Sequence, residues 1–209
     1  MTEEDNLVYL LDGKIYINLT NKCTNQCIFC IRSLKDDVCG KNLWLKHEDF
    51  GADEVINQLK KIYNGEKEII FCGYGEPTIK IDILKEVASF IKSNYKEVKI
   101  RLNTNGHANF IHKRNVAKEL VGLIDEISVS LNASDEKLYK ELSQPNISSE
   151  EPLEVVKDFI KKCTEAGIET TASVVTGYKD YDVDVEECES IAKSLGAKFR
   201  NREWLDSGY

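Results

Sequence analysis

The sequence lacks a long apolar run and lacks an excess of basic residues, and each absence excludes a class of protein. No stretch approaches the ~20 consecutive apolar residues of a membrane-spanning helix, so we expect no membrane association. Lys and Arg number 28 against 36 Asp and Glu, which gives a formal net charge of −8. Because proteins that bind a phosphate backbone usually present a basic face, a nucleic-acid partner is not expected.

The chain also lacks the paired cysteines of a disulfide framework. It has seven Cys, an odd number, and its first residues show no signal-peptide pattern, which favours a reducing compartment and a cytoplasmic location. Cys163 and Cys188 fall on the apolar faces of predicted helices, where a free Cys behaves as a small buried hydrophobe. Cys39 and Cys72 lie in or beside predicted loops, and the sequence leaves their roles open.

What the chain does have is a cluster of three cysteines. Cys23, Cys27 and Cys30 form a C-x3-C-x2-C run directly after a short apolar segment. Three thiolates this close together repel one another unless a soft metal neutralises them. A closed iron–sulfur cube takes four protein ligands, so three ligands leave one iron free to bind something else, which points to catalysis. The alternative is a zinc site with His47 or His107 as fourth ligand, although structural zinc sites use a different cysteine spacing. All the histidines are otherwise expected at the surface or at helix ends.

Short β-rich runs alternate with segments of helical periodicity along the chain. Six strands that alternate with helices predict a parallel α/β sheet with right-handed crossovers. A complete eight-fold barrel takes ~250 residues, so 209 residues with six units predict a single domain, 1–209, forming a partial, laterally open (β/α)6 TIM-like barrel. A doubly wound open sheet is the alternative. The predicted strands are Ile15–Leu19, Glu68–Cys72, Val98–Asn103, Glu126–Leu131, Ile168–Val175 and Ala197–Arg200.

Polar and apolar residues alternate along three of these strands. Parallel strands buried on both faces read as nearly continuous apolar runs, so the alternation predicts that one face packs on helices and the other lines a polar lumen. Arg101 and Arg200 are then candidates to hold a carboxylate or phosphate of a substrate. The alternating polar positions are Tyr16, Asn18, Arg101, Asn103, Ser128, Ser130 and Asn132.

Four polar or glycine-rich motifs stand where the predicted strands end. CTNQCIFC follows the first strand, FCGYGEPT (Phe71–Thr78) ends the second, LNTNG (Leu102–Gly106) ends the third, and SLNA (Ser130–Ala133) ends the fourth. Active sites of such folds lie at the carboxyl ends of the strands. Each motif alone could be an ordinary turn or cap, but the four together predict one site on one rim.

The cysteine run, then GYGEP, then TNG, in this order, strongly resembles the radical S-adenosylmethionine (SAM) superfamily. The resemblance implies that Cys23, Cys27 and Cys30 ligate three irons of a 4Fe-4S cluster and that the methionyl end of SAM chelates the fourth. It also implies reductive cleavage of SAM to a 5′-deoxyadenosyl radical that abstracts a substrate hydrogen. An external electron donor, such as a flavodoxin- or ferredoxin-like protein, is implied as a partner. The cofactors supply the chemistry, and the protein supplies orientation and shelter.

The resemblance further implies which residues contact SAM. GYGEP matches a GGEP segment whose backbone accepts hydrogen bonds from the methionyl ammonium, and Tyr74 stands where many relatives have glycine. Phe29 matches an aromatic residue that lies against the adenine. A thiol at Cys72 could donate a hydrogen atom to a radical. The implied cofactor-binding residues are Phe29, Gly73, Tyr74, Gly75, Glu76, Asn103, Thr104, Ser130 and Asn132.

Nearly the whole chain, from YINLTNKCTNQCIFCIR to GAKFR, is similar to the small TatD-associated radical SAM proteins. That similarity implies a functional link to a TatD-type nuclease and leaves the substrate open, whether small molecule, peptide or protein. Alternatives within the enzyme class are activation of a glycyl-radical enzyme and a deazapurine-type ring rearrangement. A non-catalytic iron–sulfur module is the alternative from another class, and it would leave the GYGEP and NTNG segments without a purpose.

Overall fold

The computed structural model describes residues 5–38 and 40–204, and Cys39 lies outside the described residues. Seven strands form one sheet, and two short strands form a separate hairpin. The strands are β1 (Val8–Leu11), β2 (Lys14–Ile17), β3 (Asp37–Val38), β4 (Lys41–Asn42), β5 (Glu68–Phe71), β6 (Lys99–Thr104), β7 (Glu126–Ser130), β8 (Glu169–Thr176) and β9 (Lys198–Glu203). The helices are α1 (Ala52–Ile62), α2 (Ile81–Asn94), α3 (Ala108–His112), α4 (Val116–Glu119), α5 (Glu136–Ser143), α6 (Pro152–Glu165) and α7 (Val185–Ser194).

The sheet has the order β1-β2-β5-β6-β7-β8-β9. All neighbouring strands from β2 to β9 pair in parallel, while β1 pairs antiparallel with β2. From β2 onward, each successive strand of the sheet is added next to the preceding one and always in the same direction, so β1 and β9 are the two edge strands. A doubly wound sheet would reverse its strand order at a switch point. The predicted α/β class and partial, laterally open barrel of six parallel strands are therefore confirmed, and the doubly wound alternative is wrong.

The two faces of the sheet differ as the alternation predicts. On β6, Ile100 and Leu102 are buried in the core formed with the helices, whereas Arg101 and Asn103 are only half-buried on the opposite face. β7 shows the same alternation of buried and half-buried residues. We call the second, polar face the lumen face.

The antiparallel strand β1 is absent from the sequence prediction, which began at Asp12. Asp12 and Gly13 connect β1 to β2, with φ of 49° and 71°. A two-residue turn with both φ positive is the type I′ geometry that Asp-Gly favours between strands of a hairpin. The signal was present in the sequence, in the apolar residues that flank this Asp-Gly pair.

The helices bury their apolar stripes against the helix-side face of the sheet. Cys163 of α6 and Cys188 of α7 are both fully buried, which confirms their prediction as small core residues. Among the helices of the described residues, none has the length and apolar character needed to cross a bilayer.

Candidate active site

The four motifs meet at the carboxyl-terminal edge of the sheet. Parallel pairing aligns the ends of β2, β5, β6 and β7, so the loops that follow these strands are neighbours. The cysteine loop, residues 21–30, follows β2, and the GYGEP loop, residues 72–77, follows β5. Hydrogen bonds described below join these two loops to the loop after β6.

An arginine side chain joins the cysteine loop to the GYGEP loop. Arg32 Nη1 donates to the carbonyl oxygens of Asn21 (3.1 Å) and Tyr74 (3.2 Å), and Nη2 donates to the carbonyl oxygen of Asn25 (3.3 Å). One guanidinium thus fixes both ends of the segment that bears Cys23 to the GYGEP loop. The rigid fork of Arg suits such multiple acceptors better than Lys would.

The cysteine loop is also hydrogen-bonded to the last residues of α5 and to the segment that follows it. Gln26 N donates to Ser143 O (3.0 Å), Ile28 N donates to Leu142 O (3.0 Å), and Asn146 N donates to Thr24 O (2.7 Å). Hydrogen bonds on both sides of the loop therefore fix the backbone on either side of Cys27 and next to Cys23.

Cys23 and Cys27 line a cavity of about 550 Å³ together with Arg32. Cys23, Cys27 and Cys30 are all partly exposed and free. Burial raises the pKa of Cys23 to about 11 and that of Cys27 to about 12, so both are protonated at neutral pH and a metal must displace the protons. Within the described ranges, no three His, Cys, Asp or Glu side chains are grouped around a single metal ion; thiolates that each bind a different iron of a cube need not converge on one point.

The proposed fourth ligands of a zinc site are engaged elsewhere. His47 Nδ1 lies 3.4 Å from Asp5 Oδ2 at the surface. His107 is buried with both ring nitrogens hydrogen-bonded, Nδ1 to Thr24 Oγ1 (2.9 Å) and Nε2 to Tyr139 OH (3.0 Å). Thiol ligands of this number and spacing suit an iron–sulfur cube with one open iron better than a zinc ion.

The two glycines of the GYGEP loop are required by close approach rather than by unusual dihedral angles. A Cβ on Gly73 would stand 2.0 Å from Asn18 Oδ1, and a Cβ on Gly75 would stand 2.2 Å from Thr20 O and 2.5 Å from Lys22 O. Gly75 therefore lets the GYGEP loop press against the backbone that leads into the cysteine loop.

Tyr74 points away from the lumen. Its ring is buried in a second cluster with Tyr9, Val38 and Leu43, and its hydroxyl donates to Lys35 O at 2.6 Å. Burial raises the pKa of Tyr74 to about 12. Only the backbone of Tyr74 faces the site, which explains how this chain tolerates tyrosine in place of glycine.

Glu76 joins three loops from a buried position. Its carboxylate accepts hydrogen bonds from Thr78 N (3.1 Å), Thr78 Oγ1 (2.7 Å), Thr104 Oγ1 (2.7 Å) and Asn105 N (2.7 Å). Its own backbone N–H donates to Lys22 O at 2.8 Å. These bonds make Glu76 and Thr104 positioning residues: both side chains are used within the protein.

Asn105 extends this arrangement to the cysteines. Its Nδ2 lies 3.7 Å from Cys23 Sγ and donates to Thr24 Oγ1 at 2.8 Å. The Thr24 hydroxyl and the Tyr139 hydroxyl bond the two ring nitrogens of His107, and the tautomer of the ring sets which group donates in each bond. Burial favours the neutral imidazole. Sequence reasoning missed this role of His107, because a buried histidine and a capping histidine look alike in a sequence.

A pH dependence of stability follows from His107. Burial lowers its pKa from 6.5 to about 4, so the folded protein binds fewer protons than the unfolded chain between these values. The stabilisation is complete above about pH 6.5 and is lost as the pH falls towards about 4, with about 2 kcal/mol lost between about pH 7 and pH 5. Urea unfolding at the two pH values measures this loss. In His107→Gln the loss should shrink by about 2 kcal/mol; an equal loss in variant and wild type would contradict the assignment.

The remaining predicted residues lie around the lumen rim. Asn132 has a positive φ of 63°; its Nδ2 donates to Ser143 Oγ at 3.0 Å, and its buried Oδ1 has no partner among the described residues. Ser130 ends β7 half-buried. Phe29 packs edge-on against Tyr178, with ring centroids 6.1 Å apart. The rim therefore offers a hydrogen-bond acceptor, Asn132 Oδ1, and an aromatic surface, Phe29 with Tyr178. A ligand that carries a hydrogen-bond donor and a flat ring would fit both.

The two arginines predicted to bind substrate occupy different surroundings. Arg101 is on the lumen face, with Nε 3.3 Å from Glu68 Oε1. Arg200 lies on the edge strand β9 and is exposed. Arg202, two residues further along β9, is half-buried and was missed because the strand was predicted to end at Arg200.

The Radical SAM superfamily model matches residues 17–192. GTP 3′,8-cyclase of Staphylococcus carnosus is 25% identical over 195 residues, covering 92% of this chain and 54% of the relative. A probable GTP 3′,8-cyclase of Pyrococcus horikoshii is 31% identical over 151 residues, covering 71% of this chain and 42% of the relative. The structure of Streptococcus suis SuiB bound to its precursor peptide SuiA superposes with a TM-score of 0.68 at 18% identity, over 95% of this chain and 41% of SuiB.

This chain thus spans about half or less of the length of these relatives. The matched region nevertheless contains the whole rim described above, from the cysteine loop after β2 to the end of β8. The match covers well over half of the sequence. The chain belongs to the radical SAM superfamily.

Proposed function

We propose that this protein is a radical SAM enzyme that binds its cluster through Cys23, Cys27 and Cys30 and acts on a substrate in the adjoining lumen. The observation that supports this most is that the cysteine loop and three further strand-end loops lie together on one rim. When bound, the 4Fe-4S cluster and SAM supply reductive cleavage to a 5′-deoxyadenosyl radical, which abstracts a hydrogen atom from substrate. An external electron donor is part of this proposal.

The chain supplies the positions for both cofactors. The thiols hold three irons, and the backbones of Gly73, Tyr74 and Gly75 lie beside them for the methionyl end of SAM. The polar side chains at the rim, with Phe29 against Tyr178, are suited to the ribose and adenine. The rim residues are Phe29, Asn103, Ser130 and Asn132, with Thr104 and Glu76 holding the loops in place.

The chain as a whole, 1–209, is proposed to be one radical SAM core domain. Its motifs support kinship with the small TatD-associated radical SAM proteins, and therefore a functional partnership with a TatD-type nuclease. The relatives named GTP 3′,8-cyclase support a second candidate, the rearrangement of a nucleotide. Glycyl-radical activation and deazapurine-type synthesis stay as further candidates for the reaction itself.

Anaerobic reconstitution with iron and sulfide, followed by reduction in the presence of SAM, tests the proposal. The wild type should release 5′-deoxyadenosine, and the triple variant with alanine at Cys23, Cys27 and Cys30 should release none. Cys163→Ala is the matched control, because that buried thiol is remote from the loop. A wild-type protein with a full cluster that never cleaves SAM would instead be a non-catalytic iron–sulfur module.

Adding candidate substrates to the same assay separates the reactions. GTP tests the nucleotide candidate, and a glycyl-radical enzyme tests activation through the protein-based radical it would acquire. Each candidate reaction predicts a product besides 5′-deoxyadenosine.

A further inference from the structure

An arginine of β9 lies on the lumen face without a carboxylate partner in the described part of the chain. Along β9, Phe199 packs against the helix-side core, so Arg200 and Arg202 alternate to the lumen face. Arg202 pairs with Val175 of β8, which is itself buried. The Nε of Arg202 is buried and has no hydrogen-bond partner among residues 5–38 and 40–204.

The charge of Arg202 is felt on the other side of the lumen. Burial raises the pKa of the Cys72 thiol, and a hydrogen bond from Asn103 and the charges of Arg202 and Arg101 oppose that rise. Cys72 follows β5, and three strands separate β5 from β9 in the sheet. A charge on β9 can act on a group beside β5 only across the interior of the partial barrel. Arg101 and Asn103 of β6 are half-buried on the same lumen face as Arg202.

The carboxylates of the lumen face are already matched with other cations. Glu68 lies 2.6 Å from Lys14 Nζ and 3.3 Å from Arg101 Nε. Glu126 lies 3.3 Å from Lys99 Nζ, and Glu169 pairs with Lys198. These pairs lie at the amino-terminal ends of the strands, away from Arg202. A half-buried cation without an anion is costly, and such a cost is retained where a ligand supplies the missing charge.

We infer that Arg202, assisted by Arg101 and Asn103, binds an acidic group of the substrate, a carboxylate or a phosphate, within the lumen. The inference rests on the proposed function and narrows its substrate class. A planar guanidinium fork binds either group through two parallel hydrogen bonds. The walls that Phe29, Tyr178 and Trp204 form at the same end of the sheet would receive the less polar part of that substrate.

Titration calorimetry with two probes, inorganic pyrophosphate and citrate, tests this at constant ionic strength on the reconstituted protein. At least one probe should bind the wild type. Arg202→Gln should weaken that binding by at least about ten-fold, the loss expected for a hydrogen bond between charged groups, and Arg202→Lys should weaken it less. Which probe binds distinguishes a phosphate from a carboxylate.

Arg114→Gln is the control, since it removes the same charge at an exposed position between α3 and α4. Its probe affinity should stay within about two-fold of the wild type. Equal weakening in Arg114→Gln and Arg202→Gln, or no binding of either probe to the wild type, would overturn the inference. So would a loss of SAM affinity in Arg202→Gln as large as its loss of probe affinity, because Arg202 would then belong to the cofactor site.

Two further readouts separate this site from a structural role and from the proposed function. Removing an unpaired cation should leave the midpoint of thermal unfolding unchanged or raise it in Arg202→Gln without probe, whereas a marked fall would indicate a structural partner and contradict the inference. If the wild type binds a probe but never cleaves SAM, the proposed function fails while the anion site stands.

Discussion

Replacing Gly75 with alanine is expected to abolish cluster assembly. The added Cβ would stand 2.2 Å from Thr20 O and 2.5 Å from Lys22 O. Both are backbone atoms, so no side chain can rotate away, and the segment leading to Cys23 must shift. Iron content after anaerobic reconstitution should fall from about four per chain, as for a 4Fe-4S cluster, to less than about one.

Gly51→Ala is the control for this change. A Cβ there meets only Glu54 Oε2, at an ordinary 3.5 Å, and Gly51 is the N-cap residue of α1. Its iron content should equal that of the wild type. Full iron loading of Gly75→Ala would mean that the cysteine loop does not depend on this close approach.

Removing the Glu76 carboxylate should lower the free energy of unfolding substantially. In Glu76→Ala, the backbone N–H groups of Thr78 and Asn105 lose their buried acceptor at about 1–3 kcal/mol each, and the deleted volume adds a cavity cost. We expect the free energy of unfolding in urea to fall by about 3–5 kcal/mol.

The Glu76→Gln variant should lose less stability than Glu76→Ala. The amide oxygen can keep the three bonds now made to Oε1, but the amide nitrogen would face the N–H of Asn105, so a loss of about 1–3 kcal/mol is expected. Glu141→Ala, at an exposed position of α5, controls for loss of a carboxylate and should change stability by less than about 0.5 kcal/mol. Equal effects at Glu76 and Glu141 would show that the hydrogen bonds of Glu76 do not join the loops.

The parallel sheet could be predicted because its signal is local and repeated. Ile100 and Leu102 alternate with Arg101 and Asn103, and each such alternation indicates which face of a strand packs against the helices. The strand order is not encoded in this way, so the choice between a partial barrel and a doubly wound sheet needed the structure. β9 was predicted too short because Asn201, Arg202 and Glu203 are polar; backbone pairing with β8 extends it.

The site could be predicted as far as its motifs, and no further. The order of CTNQCIFC, GYGEP and NTNG indicates one rim, but it cannot say which side chains face inward. The side chain of Tyr74 points away from the lumen because its ring packs in a second apolar cluster. His107 can be buried because Thr24 and Tyr139 hydrogen-bond both of its ring nitrogens. Both outcomes depend on contacts between residues far apart in sequence, which no local pattern contains.

We propose that three thiolates hold a cube of iron and sulfide whose fourth iron is open to SAM. Electron paramagnetic resonance of the reduced, reconstituted protein, recorded before and after SAM is added, tests it directly. SAM should change the spectrum of the cluster in the wild type. A fully loaded cluster with all three cysteines intact and a spectrum that SAM leaves unaltered would contradict the account.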